Sequence, residues 1–190
     1  MAKGISLRLR VMGIEMGFDS DTFRKVMGHF VTGVTVVTTL ENGEPQGITV
    51  NALSSVSLEP PLVVVALDRR RYITPKVHAA GRFAVSVLGE HQQALADCFA
   101  GAPVQPGRER FCGAAWTPGA TGLPLLDGAI ATLECTVVGV HPIGDHDLFI
   151  GQVEALNSEE HHPQPLLYFR RRYLRVERSE SIAIEGRQEG

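Results

Sequence analysis

The run Gln46–Leu67 constrains this chain more than any other stretch, because it sets two dissimilar surfaces end to end. Leu62-Val-Val-Val-Ala-Leu67 is wholly apolar and rich in β-branched residues, the composition of a strand buried on both faces. Just before it, Thr49-Val-Asn-Ala-Leu-Ser-Ser-Val-Ser57 carries a threonine, an asparagine and three serines. Packing alone rarely calls for so many small hydrogen-bonding side chains. The segment therefore asks for a strand-built core with a polar corner on its rim.

The flanking sequence supplies more strands than helices. Phe23, Val26, Met27, Phe30 and Val31 recur at helical spacing and predict a helix from Asp19 through Val31, capped by Asp19 or Ser20. Gly28 inside it marks close packing on a sheet. Val34–Leu40 reads as a strand, and Asn42-Gly43 as a tight hairpin turn. Further strands are expected at Gly47–Ala52, Val56–Leu58, Leu62–Leu67 and Phe83–Leu88, with helices at Thr74–Ala80 and Glu90–Phe99. Residues 101–127 hold four of the 11 prolines and read as a long loop anchored by Phe111 and Trp116. Two long strands, Ala129–Val140 and Asp147–Leu156, follow across the turn His141–His146, and short closing strands are expected at Pro165–Phe169 and Tyr173–Val176. Hairpin-like succession with few helices predicts a mainly β fold, an antiparallel barrel, as one domain over residues 19–178. Residues 1–18 are expected as an N-terminal arm and 179–190 as a C-terminal tail.

Composition removes several function classes. The 190 residues carry a net charge of −3, without the basic excess of a nucleic-acid binder. No apolar run approaches the roughly 18 residues of a membrane span. Lys3, Arg8 and Arg10 are not followed by a continuous apolar segment of secretion-signal type, so the expected location is cytoplasmic. Cys98, Cys112 and Cys135 are odd in number with no C-x-x-C pair, which fits reduced thiols better than a disulfide framework. Cys135 is expected in the core.

No G-x-G-x-x-G follows a strand and no P-loop occurs, so any nucleotide is held without either turn. The Thr49–Ser57 corner suits the heteroatom edge of a planar ring such as a flavin, and equally a serine-rich sheet edge. Arg69-Arg70-Arg71 follows the buried strand, as a phosphate clamp or as a solvated loop. Gly144-Asp145-His146 offers a turn histidine that can donate to a nicotinamide nucleotide or sit in solvent. His141, His161 and His162 lack metal-ligand spacing, so no metal is expected. No nucleophile elbow or catalytic triad can be assembled.

In order along the chain, Phe23-Arg24, Gly33-Val-Thr-Val-Val-Thr38, Gly47-Ile-Thr-Val-Asn51 and Ser55-Val-Ser-Leu-Glu-Pro-Pro-Leu62 resemble the flavin reductase-like family. So do Phe83-Ala-Val-Ser-Val-Leu88, Phe99-Ala-Gly101, Leu133-Glu-Cys135, Gly144-Asp-His146 with Ile150-Gly-Gln-Val153, and Pro165-Leu-Leu-Tyr-Phe169 with Tyr173. The resemblance runs from about Asp19 to Val176. It implies an FMN-binding split β-barrel, usually homodimeric with flavin near the dimer interface, acting as the NAD(P)H-dependent reductase component of a two-component monooxygenase. By that resemblance Thr49, Val50, Asn51, Ala52 and Leu53 line the isoalloxazine and ribityl chain, and Ser55 and Val56 continue that wall. Arg70, Arg71 and Tyr72 meet the phosphate region of FMN or FAD. His146 meets NADH or NADPH, and Tyr173 closes the site. Hydride passes between cofactors, so no catalytic side chain is expected. The alternatives are a non-reductase FMN- or haem-binding member of the same superfamily, or a structural dimeric module.

Overall fold

A computed structural model of the chain describes residues 10–11, 14–15, 17–102, 110–159 and 164–176. Seven antiparallel strands make the main sheet. In chain order they are β1 (Thr35–Glu41), β2 (Glu44–Val50), β3 (Leu53–Leu58), β4 (Pro61–Asp68), β5 (Arg82–Val87), β6 (Ala131–Ile143) and β7 (His146–Ser158). Asn42 and Gly43, at φ of 52° and 82°, close the two-residue β1–β2 hairpin, as Asn-Gly is suited to do. Across the sheet the order is β2-β1-β5-β6-β7-β4-β3. Strands β2 and β3 are thus consecutive in sequence, joined only by Asn51-Ala52, yet lie at opposite edges. The sheet must curl until those edges meet at residues 51–52 and diverge beyond, which makes a split barrel.

Inside the curl, Val37, Ile48, Val65, Leu67, Phe83, Val85 and Phe149 form the core. The expected alternation holds on the long strands: Leu133, Cys135 and Val137 join that core from β6, and Phe149 and Gly151 face inward on β7. Gly151 is glycine for want of room, since a Cβ there would lie 2.6 Å from the Phe83 ring and 2.8 Å from Cys135. Glu134, on the opposite face, is buried as well. Its carboxylate accepts hydrogen bonds from the Ala120 and Thr121 amides, each at 2.8 Å, and pins that loop to the sheet. A second cluster outside the barrel gathers Val34, Val36, Leu88, Phe99, Leu126 and Leu166 under α3 (Gln93–Phe99).

Helix α1 (Ser20–Met27) is capped by Asp19, whose carboxylate accepts from the Thr22 amide at 2.7 Å. It stops four residues before Val31 because Gly28 is its C-cap, and the Gly28 carbonyl accepts from the Arg170 amide at 2.8 Å. The close approach at Gly28 is therefore to a hairpin turn. Helix α2 (Thr74–Ala80) occupies the expected residues. Glu90–Phe99 splits into a 3-10 turn, Glu90–Gln92, and α3. The stretch read as loop contains a short hairpin, Trp116–Pro118 with Pro124–Leu126. Phe111 and Trp116 anchor it, their rings 6.4 Å apart against the outer cluster. Part of that stretch (103–109), most of the arm, His161, His162 and the whole tail lie outside the described residues. Among those described, no helix is long and apolar enough to cross a membrane.

The cysteine reading needs correction. Cys98 and Cys112 are joined in a disulfide, with Cα atoms 6.0 Å apart. Fourteen residues of sequence hide that proximity, which arises only when the Phe111 turn folds back onto the end of α3. Cys135 is free and buried, and burial pushes its thiol up to about 12. Thiol titration should therefore find no reactive cysteine in the native chain, one after unfolding without reductant, and three after reduction. Three thiols without reductant would remove the disulfide.

Candidate functional site

The corner where the barrel splits is held by side-chain hydroxyls bonding to backbone. Thr35 Oγ1 donates to the Val50 carbonyl at 2.6 Å and Thr49 Oγ1 to the Ala96 carbonyl at 2.7 Å, which ties the end of β2 to β1 and α3. Asn51 then leaves the sheet, its Nδ2 3.4 Å from Thr32 Oγ1. Because β2 and β3 are edge strands, each is paired on one side only, and the backbone around Ile48–Ala52 faces the split.

Three cavities meet there, and Asn51 lines all of them. One, of about 280 Å3, takes its wall from Ile48–Ala52, Ala66, Leu67 and Ala100, with Asp68, Arg71 and His146 on its rim. A second, of about 180 Å3, lies toward Tyr168 and Tyr173. The third is an open apolar hollow of about 740 Å3 between Met27-Phe30-Val31 and the face of Leu53, Val64 and Leu148. The sequence-derived residues Thr49, Val50, Asn51, Ala52, Arg71 and His146 thus come together at one cavity. Leu53 borders the hollow and Tyr173 the second cavity. Val50 contributes backbone, its side chain being in the core.

The three arginines after β4 do different work. Arg69 donates to the Gly144 carbonyl and lies 3.9 Å from Asp147. Arg70 is clamped on Asp68, at 3.0 Å from Nε and 2.7 Å from the terminal nitrogen, and also approaches Asp145 at 3.8 Å. Those hydrogen bonds hold the Asp68 carboxyl well below the usual carboxylate range. Arg71 has no hydrogen-bond or ion-pair partner for its guanidinium among the described residues. It is the arginine left for a ligand.

His146 sits opposite, on the glycine-led hairpin Gly144-Asp145 between β6 and β7. Its Nδ1 is 2.7 Å from Asp145 Oδ1, and that contact keeps the Asp145 carboxyl ionised by lowering its pKa. An ionised carboxylate only accepts, so Nδ1 carries the hydrogen and Nε2 is left for a ligand. Tyr173, 5.5 Å from Tyr168, has its hydroxyl pushed up to about 12, first by burial and then by Asp97, so it stays a neutral donor.

Other named residues lie elsewhere. Tyr72 turns to the far side of β2, where its hydroxyl donates to the Gly47 carbonyl. Ser55 and Val56 lie on β3, exposed, and border none of these three cavities. Ala66, Asp68, Ala100 and Tyr168 also belong to the corner, beyond the residues that the resemblance implies. Ala100 and Tyr168 carry a sequence signal, since Phe99-Ala-Gly101 and Pro165-Leu-Leu-Tyr-Phe169 are among the motifs of the resemblance.

The corner has the parts to hold an anionic, flat ligand. It offers a wall of small side chains (Ala52, Ala66, Ala100), an unpaired guanidinium and one imidazole nitrogen. No group of three or more His, Cys, Asp or Glu among the described residues could hold a metal ion.

Comparison with known proteins agrees with that chemistry. A family model described as "Flavin reductase like domain" matches residues 27–177. The chain is 43% identical over 143 residues to an NADH-dependent flavin reductase of a Rhodococcus species, covering 74% of this chain and 78% of that one. It is 38% identical to the reductase component of 4-hydroxyphenylacetate 3-monooxygenase of Thermus thermophilus, covering 82% and 96%. Among solved structures, it is similar to the NADH:FAD oxidoreductase SgcE6 of Streptomyces globisporus in complex with NAD and FAD fragments. That match has a TM-score of 0.77 at 36% identity, over 84% of this chain and 94% of that one.

Proposed function

The chain belongs to the flavin reductase-like family, and from that premise we propose that the Asn51 corner is where it brings a flavin and a nicotinamide nucleotide together. The activity is that of an NADH:flavin oxidoreductase supplying reduced flavin to a partner monooxygenase. One observation carries the site assignment: Arg71, unpaired, and His146, oriented by Asp145, share a small-residue cavity with Thr49–Ala52.

The bound flavin and nicotinamide supply the redox chemistry, a hydride passing between their rings; the chain supplies placement. Arg71 grips the flavin phosphate, and a guanidinium does so bidentately. Backbone groups of Val50–Ala52 meet the polar edge of the ring, while Ala52, Ala66 and Ala100 give it a flat wall. His146 Nε2 would meet the nicotinamide nucleotide, and neutral Tyr173 would close the neighbouring cavity. With Arg69 and Arg70 already engaged, Arg71 is the one arginine of the three open to a phosphate, which favours NADH over NADPH.

The working form we propose is a homodimer. The apolar face of α1 and the following turn, Phe23, Val26, Met27, Phe30 and Val31, is exposed, and Met27, Phe30 and Val31 wall the large hollow beside Asn51. A second copy covers both. A cytoplasmic location goes with the nicotinamide requirement; that compartment keeps most thiols reduced, so the Cys98–Cys112 bond is the feature that argues against it.

His146→Ala should raise the KM for NADH about fivefold, as expected for losing one hydrogen bond of about 1 kcal/mol. The flavin dissociation constant should stay within twofold. Anaerobic steady-state kinetics with FMN and FAD reads both, and an unchanged KM removes His146 from the nicotinamide site.

A further inference from the structure

The covalent tie between Cys98, the last residue but one of α3, and Cys112 has no part in the chemistry described so far. Both cysteines are half-buried, and both line an open cavity of about 510 Å3 beside Tyr72, Phe99 and Phe111, where small reagents can reach them. Cys135 is the contrast, being enclosed in the barrel core.

The bond fastens a turn that would otherwise relax. Phe111 and Cys112 take φ of 49° and 56°, a region that residues with side chains avoid. Besides the bond, the turn is held by the Phe111 ring, which meets Phe99 edge to face at 5.0 Å. The ring also lies against Gly47, where a Cβ would fall 3.2 Å from it. The end of α3 that carries Cys98 is itself a wall of the Asn51 corner. Ala96, two residues before Cys98, accepts the Thr49 hydroxyl at its carbonyl at 2.7 Å. Ala100, two residues after, lines both the Arg71–His146 cavity and the one beside Tyr173. The Gly101 amide donates to the Cys98 carbonyl at 2.8 Å, so whatever fixes Cys98 fixes the turn that presents Ala100.

We propose that Cys98 and Cys112 are a site of reversible oxidation that sets how firmly the corner holds flavin. The proposal rests on the flavin reductase reading, because that activity supplies the oxidant. Dioxygen that takes two electrons and two protons from reduced flavin leaves as hydrogen peroxide. One cysteine sulfur attacks a peroxide oxygen, the O–O bond breaks, and water departs from a sulfenic acid. The second sulfur displaces the remaining oxygen as water and the S–S bond forms. Two thiols and one peroxide thus give one disulfide and two waters, sulfur losing the two electrons that peroxide gains. A small-molecule dithiol reopens the bond by exchange through a mixed disulfide and is itself oxidised to a disulfide. In a compartment that keeps thiols reduced, disulfides are characteristically transient and redox-sensing, which reconciles this bond with the location proposed above. When the bond is closed, α3 and the Ala100 wall are fixed. When it is open, the Phe111 turn relaxes and the wall loosens.

Thiol counting and flavin titration on the same samples of full-length protein test this. After dithiothreitol and desalting, wild type should show two accessible thiols and bind FMN about tenfold more weakly than the oxidised form. Hydrogen peroxide should remove both thiols and restore the tighter binding. Aerobic turnover with NADH and FMN should do the same, and catalase should prevent it. Cys98→Ser and Cys112→Ser should each bind FMN as the reduced form does, with or without peroxide. FMN affinities within twofold in the two thiol states overturn the proposal, even where reduction lowers the melting temperature, because the bond then only stabilises the fold. Thiols that survive added peroxide overturn it as well. A protein whose pair closes with peroxide, but which oxidises no NADH when flavin is added, overturns the functional reading and with it the source of the oxidant.

Discussion

Replacing Arg71 by glutamate should weaken flavin binding about a hundredfold and leave the melting temperature of the protein where it was. The two halves of that result have one cause. Arg71 is exposed, and its guanidinium has no partner among the described residues, so no native contact is lost with it. A charge-assisted hydrogen bond contributes about 1.5–3 kcal/mol, and a bidentate grip on phosphate makes two. Losing most of that, with a carboxylate now facing the anion, corresponds to roughly 2.7 kcal/mol, or two decades in affinity. Arg70→Glu is the informative contrast. Arg70 is held by Asp68 and Asp145, so its reversal would set three carboxylates together beside His146 and lower stability rather than act on the flavin directly. Equilibrium titration at two ionic strengths reads the effect, and the wild-type advantage should shrink with salt as Arg71 is exposed. A change of less than threefold for Arg71→Glu would take the phosphate away from this loop.

The distinction between Arg70 and Arg71 shows where sequence stops being informative here. Three consecutive arginines after a buried strand are visible as a charge run, but which of them are spent depends on Asp68, which holds Arg70, and on the Gly144–Asp147 hairpin, which engages Arg69. That hairpin lies seventy-odd positions away and comes alongside because β7 pairs with β4, His146 against Asp68. What could be read directly was whatever neighbouring residues decide. Asn42-Gly43 must close a hairpin, Pro75 opens α2, and alternation along residues 131–137 and 147–153 puts Cys135, Phe149 and Gly151 inside. What could not be read depends on contacts across the fold. The Cys98–Cys112 bond needs the turn at Phe111, where Phe111 and Cys112 both take positive φ, 49° and 56°, values that a sequence gives no reason to expect of these residue types. The helix spacing of Phe23 to Val31 was legible, but what its apolar face packs on was not, because nothing among the described residues buries it.

That unburied face yields the other large effect. Phe30→Asp should convert a dimer into a monomer of 20.6 kDa, and weaken flavin binding at the same time. Phe30 is 70% exposed and lies just past α1, with Met27 and Val31 beside it on the rim of the hollow that Asn51 also lines. Covering a phenylalanine side chain gains about 1.5–3 kcal/mol, and two copies are covered across a twofold seam. A carboxylate in the same place forfeits that gain twice and adds the cost of desolvating two like charges close together. The sum, several kcal/mol, moves a dissociation constant by three or more decades. The fold itself should survive, because Phe30 is not part of either core cluster, and circular dichroism should match wild type. Flavin affinity should fall with dimerisation, since the hollow and the Arg71–His146 cavity share Asn51 and Ala52 and the second copy closes the side they open on. Light scattering across a concentration series, paired with flavin titration of the same samples, reads both. A variant that stays dimeric moves the seam off this face, and a monomer that binds flavin as well as wild type would show that one chain completes the site alone.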